Sequence, residues 1–166
     1  MGNKNISIKI DGKSIQVKEG ANLLKAARDN GFDIPGLCYH HRISPTGACR
    51  LCTVKLKTDR GVTLVAACSA AAAEGMDVIV FDEELENFRK SILDLLLSEH
   101  NEKNDGSYED EFLVLIKRYG LDKKAARRFP SVWKKMGYPA DDSSPVLIHD
   151  GTKCIKCFRC IKACDE

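Results

Sequence analysis

Residues 38–68, CYHHRISPTGACRLCTVKLKTDRGVTLVAAC, contain the pattern around which the rest of the chain is organised. Four cysteines are spaced here as C-x10-C-x2-C-x15-C, and they are Cys38, Cys49, Cys52 and Cys68. The middle pair lies in a turn-rich loop, because Pro45 and Gly47 disfavour regular structure there. A loop of this kind wraps closely around a bound group, so the stretch predicts four thiolate ligands for a metal centre.

The spacing favours a [2Fe–2S] cluster over the other common uses of cysteine. Zinc sites often pair two C-x2-C knuckles, whereas this stretch has one. Disulfides are rare in a reducing compartment, and the N-terminus lacks the apolar segment of a secretory signal. A thioredoxin-like C-x2-C motif is expected to open a helix, whereas Cys52 leads into a strand pattern. On spacing alone, zinc remains the main alternative.

A second cysteine group near the C-terminus has the C-x2-C-x2-C-x3-C spacing of bacterial ferredoxins. Its members are Cys154, Cys157, Cys160 and Cys164. The short gaps let the chain turn around one cluster, so this group predicts a [4Fe–4S] site. In two-cluster ferredoxins the fourth cysteine of such a run binds the other cluster, and here the chain ends at Glu166 before a second run begins. Four outcomes stay open: a fragment of a longer protein, a short subunit with one cluster, a site completed by another chain, or an empty site.

The composition is that of a globular protein, with 43% hydrophobic and 30% charged residues among 166. A net charge of +2 gives no reason to expect nucleic acid as a partner. No apolar run is long enough for a transmembrane segment, and eight cysteines without an export signal predict a cytoplasmic protein. A basic, aromatic-containing run at 123–135 is interpreted as a solvated face that docks an acidic partner.

The segments on either side of the first cysteine group predict a small α+β fold. Residues 5–10 alternate apolar and polar, and Asp11 with Gly12 predicts a hairpin turn into a second strand. A helix follows, with Asn22 as its N-cap and Gly31 as its stop. The cysteine loop, a further hairpin and a last short strand complete a sheet that grips this helix.

Two more helices are predicted in the middle of the chain. Residues 82–100 show apolar residues at helical spacing, with acidic residues in the first turn. The predicted apolar stripe consists of Leu85, Phe88, Ile92, Leu95 and Leu96. Residues 108–119 form the next helix, which Gly120 ends. We expect both helices to serve as a connector.

The segments CYHHRISPTGACRLCTVKL and LVAACSAAAAEGMDV resemble the N-terminal [2Fe–2S] domain of a known group of redox proteins. The group comprises the large iron–sulfur subunit of bacterial complex I, the diaphorase subunits of NAD-linked hydrogenases, and the N-terminal extensions of iron-only hydrogenases and some formate dehydrogenases. The signature P-x-G-x-C-R-x-C-x-V is present from Pro45 to Val54. This resemblance implies a β-grasp ferredoxin fold and a one-electron relay.

The chain departs from this group after residue 100. The resemblance implies an H-x3-C-x2-C-x5-C motif there, which binds a [4Fe–4S] cluster. His100 occupies the histidine position, but Asn104, Ser107 and Leu113 replace the three cysteines. Because leucine cannot bind iron and the other two are poor substitutes for thiolate, we predict that this cluster is absent. His100 is then expected to be a surface or packing residue.

The sequence therefore predicts three segments: a β-grasp [2Fe–2S] domain at 1–81, a helical connector at 82–144 and a [4Fe–4S] motif segment at 145–166. No acid–base pair, activated nucleophile, phosphate loop or flavin motif is present, so we expect electron transfer without substrate chemistry of its own. The resemblance implies other redox subunits as partners: a flavin NADH-oxidising subunit and a hydrogenase or formate dehydrogenase subunit. The alternatives are a zinc-stabilised protein-interaction module and the N-terminal fragment of a complete hydrogenase or formate dehydrogenase.

Overall fold

The computed structural model describes residues 4–100, 110–122 and 140–166. The chain divides into two compact units. The first unit consists of Met1–Arg89 and Phe158–Glu166, and the second consists of Lys90–Cys157. The division into three segments at residues 81 and 144 stays a prediction.

The first unit is built on a mixed five-stranded sheet in the order β2-β1-β5-β3-β4. The strands are β1 (Asn5–Ile10), β2 (Lys13–Lys18), β3 (Thr53–Thr58), β4 (Gly61–Ala66) and β5 (Asp77–Ile79). β1 pairs in parallel with β5, and the other neighbouring strands are antiparallel. The hairpin between β1 and β2 turns at Asp11 and Gly12, both with positive φ, as the sequence predicts.

Helix α1 (Leu23–Asp29) packs against the sheet and forms the core of the first unit. Its buried side chains are Leu23, Leu24, Ala26 and Ala27, which meet the isoleucines of β1. The side chain of Asn22 accepts a hydrogen bond from the Lys25 amide over 3.0 Å, so Asn22 is the N-cap that the sequence predicts. The mixed sheet and the packed helix confirm the predicted α+β fold class.

Helix α2 (Glu83–Glu99) buries a different stripe from the one predicted. Phe88 and Leu95, both expected to be buried, are exposed. The buried positions recur every four residues, at Leu85, Arg89, Leu93 and Leu97. The prediction was right for Leu85, but it did not include Arg89, whose side chain is 0% exposed.

The second unit contains helix α3 (Glu111–Arg118), which Asp110 caps and which ends before Gly120, a residue with a φ of 61°. His100 is buried, and its ring centroid lies 4.8 Å from that of Phe112, so His100 is a packing residue. Asn104 and Ser107 lie outside the described residues, as does the basic run at 123–135. In the parts of the chain that the structure describes, no helix has the length and apolar character needed to span a bilayer.

Candidate metal centre

The four cysteines of the first group lie together inside the first unit. Cys38 is on the loop after α1, and Cys49 and Cys52 form a knuckle that leads into β3. Cys68 follows β4, in a short 3-10 helix, Ala67–Ser69. All four are free thiols, and none is more than 9% exposed.

Interactions among the four thiols shift their pKa values in opposite directions. Hydrogen bonds from Cys49 and Cys68 lower the pKa of Cys38, and a hydrogen bond from Cys68 lowers the pKa of Cys52 to about 7. The hydrogen bond to Cys38, followed by burial, raises the pKa of Cys49. Hydrogen bonds to Cys38 and Cys52 raise the pKa of Cys68.

These residues fit an iron–sulfur cluster, since four free cysteines are buried within one unit and thiolate sulfur is the usual ligand of such clusters. Within residues 4–100, 110–122 and 140–166, no group of three or more histidine, cysteine, aspartate or glutamate side chains is placed to hold one metal ion.

Backbone and hydroxyl groups provide further polar contacts to the sulfurs. The amide N–H of Leu37 donates to the Cys49 sulfur over 3.4 Å. The Ser69 hydroxyl lies 3.6 Å from the Cys68 sulfur. Hydrogen bonds to ligand sulfur raise the reduction potential of iron–sulfur sites. The Leu37 amide has no sequence signature, because any residue except proline supplies the same donor.

Two glycines let the loop pass close to neighbouring groups. A Cβ atom at Gly36 would lie 3.3 Å from the Arg28 guanidinium and 3.9 Å from the Cys52 Cβ. Gly47 has a φ of 63°, and a Cβ atom there would lie 3.2 Å from the Ser69 hydroxyl. A side chain at Gly36 would therefore be tight against Arg28, while Gly47 favours glycine because its backbone is left-handed as well.

Asn22 connects the start of α1 to the last cysteine of the group. While its side-chain oxygen caps the helix, its amide nitrogen donates to the Cys68 carbonyl oxygen over 2.5 Å. The sequence predicts the cap, but it misses this second bond, because 46 residues separate the partners. The one sequence feature that points to this bond is the choice of asparagine as the cap, because its side chain has an amide donor in addition to the capping oxygen.

The second cysteine group is divided between the two units. Cys154 and Cys157 lie in the second unit, whereas Cys160 and Cys164 lie on helix α4 (Arg159–Asp165) in the first. Cys157 is half-buried and the other three are exposed. Lys156 and Phe158 have φ values of 55° and 63°, so the backbone turns sharply between these cysteines. The Lys156 amide donates to the Cys154 sulfur over 3.4 Å.

Helix α4 is hydrogen-bonded to the loop that carries Cys38. The Arg159 guanidinium donates to the carbonyl oxygen of Tyr39 over 3.0 Å. The Glu166 carboxylate accepts from the Ser44 amide over 3.1 Å, and this contact lowers the pKa of Glu166. The C-terminus of the chain is therefore tied to the loop between the first two cysteines.

The fold and the buried cysteines define the N-terminal region as an iron–sulfur domain of the ferredoxin-like class. Residues 3–80 match the family model described as "2Fe-2S iron-sulfur cluster binding domain". This region is therefore similar to that family, and the predicted resemblance to the [2Fe–2S] region of complex I and NAD-linked hydrogenases is confirmed.

Relatives that are similar in sequence to this chain are named as subunits of NADH-quinone oxidoreductase. The chain is 34% identical over 164 residues to the second G-type subunit of NADH-quinone oxidoreductase from Rhizobium meliloti, with 97% of the chain and 19% of the relative covered. It is 31% identical over 159 residues to the G-type subunit of the Pseudomonas putida NADH-quinone oxidoreductase, with 94% and 17% covered. The chain thus spans about a fifth or less of the length of these relatives.

A solved structure shares the fold along almost the whole chain. It is the "NAD+-reducing [NiFe]-hydrogenase in the H2-reduced state", of which one chain superposes with a TM-score of 0.79 at 30% sequence identity. The match covers 95% of this chain and 65% of the hydrogenase chain. The names of the curated relatives describe them as subunits of an oxidoreductase.

Proposed function

We propose that this chain transfers single electrons as an iron–sulfur module of a multi-subunit oxidoreductase. Its first site is a [2Fe–2S] cluster held by the thiolates of Cys38, Cys49, Cys52 and Cys68. The observation that carries this proposal is the set of four buried free cysteines in the first unit, inside the region that matches a [2Fe–2S] cluster binding domain. When bound, a [2Fe–2S] cluster accepts and releases one electron without a change of ligands.

The protein around these thiolates holds them in place and shields them. The Leu37 amide binds the Cys49 sulfur, and the Asn22 amide fixes the backbone at Cys68. Burial of all four sulfurs keeps water away from the site, which protects the iron–sulfur bonds and strengthens nearby electrostatic interactions. No side chain is needed to move a proton, because the transferred particle is an electron.

The second proposed site is a [4Fe–4S] cluster bound by Cys154, Cys157, Cys160 and Cys164. Its support is the cysteine spacing, the sharp backbone turns at Lys156 and Phe158, and the amide contact to the Cys154 sulfur. The hydrogen bonds that tie α4 to the loop after Cys38 support electron exchange between the two proposed sites.

The proposed partners follow from the kinds of protein that the chain resembles. We infer a flavin subunit that oxidises NADH on one side, and a hydrogenase or formate dehydrogenase subunit on the other. Eight free cysteines suit a reducing compartment, which supports the cytoplasm as the location. NADH is expected to reduce the purified chain only when such a flavin subunit is added.

Iron and sulfide analysis of the anaerobically purified protein, with EPR of the reduced form, tests this function. One [2Fe–2S] cluster gives about two iron and two sulfide per chain, and an added [4Fe–4S] cluster gives about six of each. A colourless protein that contains zinc would contradict the proposal and favour a structural interaction module. A [2Fe–2S] signal alone would remove the second site and leave the first.

Matched serine variants assign the ligands. Cys49→Ser is expected to abolish or strongly alter the [2Fe–2S] signal, while a [4Fe–4S] signal persists. Cys160→Ser is expected to do the reverse. Equal loss of both signals in either variant would contradict two independent ligand sets.

A further inference from the structure

We propose that Arg89 is a positioning residue for the cluster site, which holds the backbone on both sides of Cys52 and places a fixed positive charge beside it. This inference rests on the proposed function, because it takes Cys52 as a cluster ligand. Arg89 is 0% exposed, although arginine is almost never fully buried unless it is paired. Its position on α2, 37 residues after Cys52, brings a charge to this ligand from a distant part of the chain.

The guanidinium of Arg89 binds the two carbonyl groups that flank Cys52. Its Nε donates to the Leu51 carbonyl oxygen over 3.1 Å, and its Nη2 donates to the Thr53 carbonyl oxygen over 3.0 Å. The same Nη2 donates to the Val80 carbonyl oxygen over 2.8 Å, just after β5. The planar donor fork therefore fixes the cysteine knuckle against the end of the sheet.

The carbonyl of Cys52 itself is also bound. It accepts a hydrogen bond from the Ala67 amide over 3.1 Å, and Ala67 directly precedes Cys68. Three successive carbonyls, at positions 51, 52 and 53, thus each have a donor, and Arg89 supplies two of the three bonds. Loss of Arg89 would leave the two carbonyls beside the ligand without these bonds, and the Cys52 sulfur would be less precisely placed.

The charge of Arg89 is only partly balanced. Glu86 forms an ion pair with its Nη1, and the Phe81 ring lies 5.4 Å from the guanidinium carbon. The Glu86 side chain is 41% exposed, so water screens the carboxylate, whereas the guanidinium is fully buried. We therefore expect a net positive field at the knuckle, because water screens the buried guanidinium less than the Glu86 carboxylate.

This field acts on the one-electron reduction of the cluster. The added electron makes the cluster with its thiolates more negative by one charge, and a nearby cation stabilises that state. Arg89 is therefore expected to raise the reduction potential. Glu86 opposes it, so the two residues should shift the potential in opposite directions.

Redox titration of the full chain, with the [2Fe–2S] EPR signal as the readout, tests this role. Arg89→Met, which removes the charge and the fork, is expected to lower the midpoint potential and to change the g values. Arg89→Lys keeps the charge but not the fork, so its potential should lie nearer the wild-type value while its g values still change. Glu86→Gln is expected to raise the potential and to leave the g values unchanged.

The outcomes separate this inference from the proposed function. A wild-type protein without iron would overturn both. A wild-type protein with the cluster, together with unchanged potentials in all three variants, would overturn the role of Arg89 alone. If Arg89→Met does not retain a cluster, Glu86→Gln decides, since Glu86 lies at the surface: a raised potential supports the inference, and an unchanged or lowered one overturns it.

Discussion

The guanidinium of Arg159 donates a hydrogen bond to the carbonyl oxygen of Tyr39, across 120 residues of sequence. Tyr39 directly follows Cys38, and Arg159 directly precedes Cys160. One hydrogen bond therefore joins the neighbours of a proposed ligand from each cysteine group. Such a contact gives the C-terminal helix a defined place on the first unit.

Substitution of Arg159 should loosen helix α4 from the cysteine loop. Arg159→Met is expected to speed amide exchange in α4 and in residues 39–44 by about fivefold, since a bond of this kind contributes about 1 kcal/mol. Hydrogen exchange measured by mass spectrometry checks this. Lys162→Met, which removes a basic residue of the same helix whose ion-pair partner is Asp165, should leave the loop unchanged. Equal effects of both variants would indicate a general loss of charge instead.

Gly47 should be needed at its position for both backbone and steric reasons. Gly47→Ala is expected to destabilise the domain by about 1 kcal/mol through its left-handed backbone, and to reduce cluster content through the contact with Ser69. Thermal unfolding and iron analysis measure the two effects. Gly75→Ala is the matched control, because Gly75 has a φ of 76° but open space around it. It should lose similar stability and keep its iron, and a similar iron loss would contradict the steric argument.

Two substitutions should distinguish the effects of the two hydrogen bonds that the Asn22 side chain makes. Asn22→Asp keeps a capping oxygen but removes the amide that donates to Cys68, and its charge then faces the carbonyl oxygen. We expect faster cluster loss to a chelator in Asn22→Asp, with the helix retained. Asn22→Ala removes both bonds and should also lower stability by about 1 kcal/mol. Wild-type rates of cluster loss in Asn22→Asp would show that the bond to Cys68 is unimportant.

Deprotonation of Lys55 is expected to destabilise the folded protein at alkaline pH. Hydrogen bonds from its ammonium to Asp82, and then to Glu84, raise the pKa of Lys55 above its ordinary value. A raised pKa means that the stabilisation is complete below the unfolded-state pKa of about 10.4 and is lost as pH rises through the folded-state pKa. The unfolding temperature should therefore fall more between about pH 10 and pH 12 in the wild type than in Lys55→Arg, which stays charged.

Lys57→Arg serves as the control for this transition. Lys57 pairs with Asp77 but its side chain is 50% exposed, so water screens the pair. Its alkaline unfolding should match that of the wild type. If Lys55→Arg also matches the wild type, the pair with Asp82 has no measurable effect on stability.

The parts of the fold that depend on local sequence were predictable. The turn at Asp11 and Gly12 and the cap at Asn22 follow from residue chemistry over a few positions. The spacing of the first four cysteines predicts that they act together, and all four are buried, while their role as ligands stays a prediction.

The parts that depend on distant partners were not predictable. The predicted buried stripe of α2 did not include Arg89, because the carbonyl partners of this residue lie 36 and 38 residues away in the sequence. The second bond of Asn22 and the contact between Arg159 and Tyr39 have the same origin. In each case the tertiary fold brings a polar side chain to its hydrogen-bond partner, and the local sequence pattern does not identify that partner.

The hydrogen bonds of Arg89 also have a consequence for the order of biosynthesis. The knuckle at Cys49 and Cys52 leaves the ribosome well before residue 89. The carbonyls that flank Cys52 therefore lack the hydrogen bonds from Arg89 until α2 has been synthesised. A nascent chain that ends at residue 81 would include all four thiols of the first group and still lack this support. Iron delivery is therefore expected to follow, and not precede, the synthesis and docking of the first turns of α2.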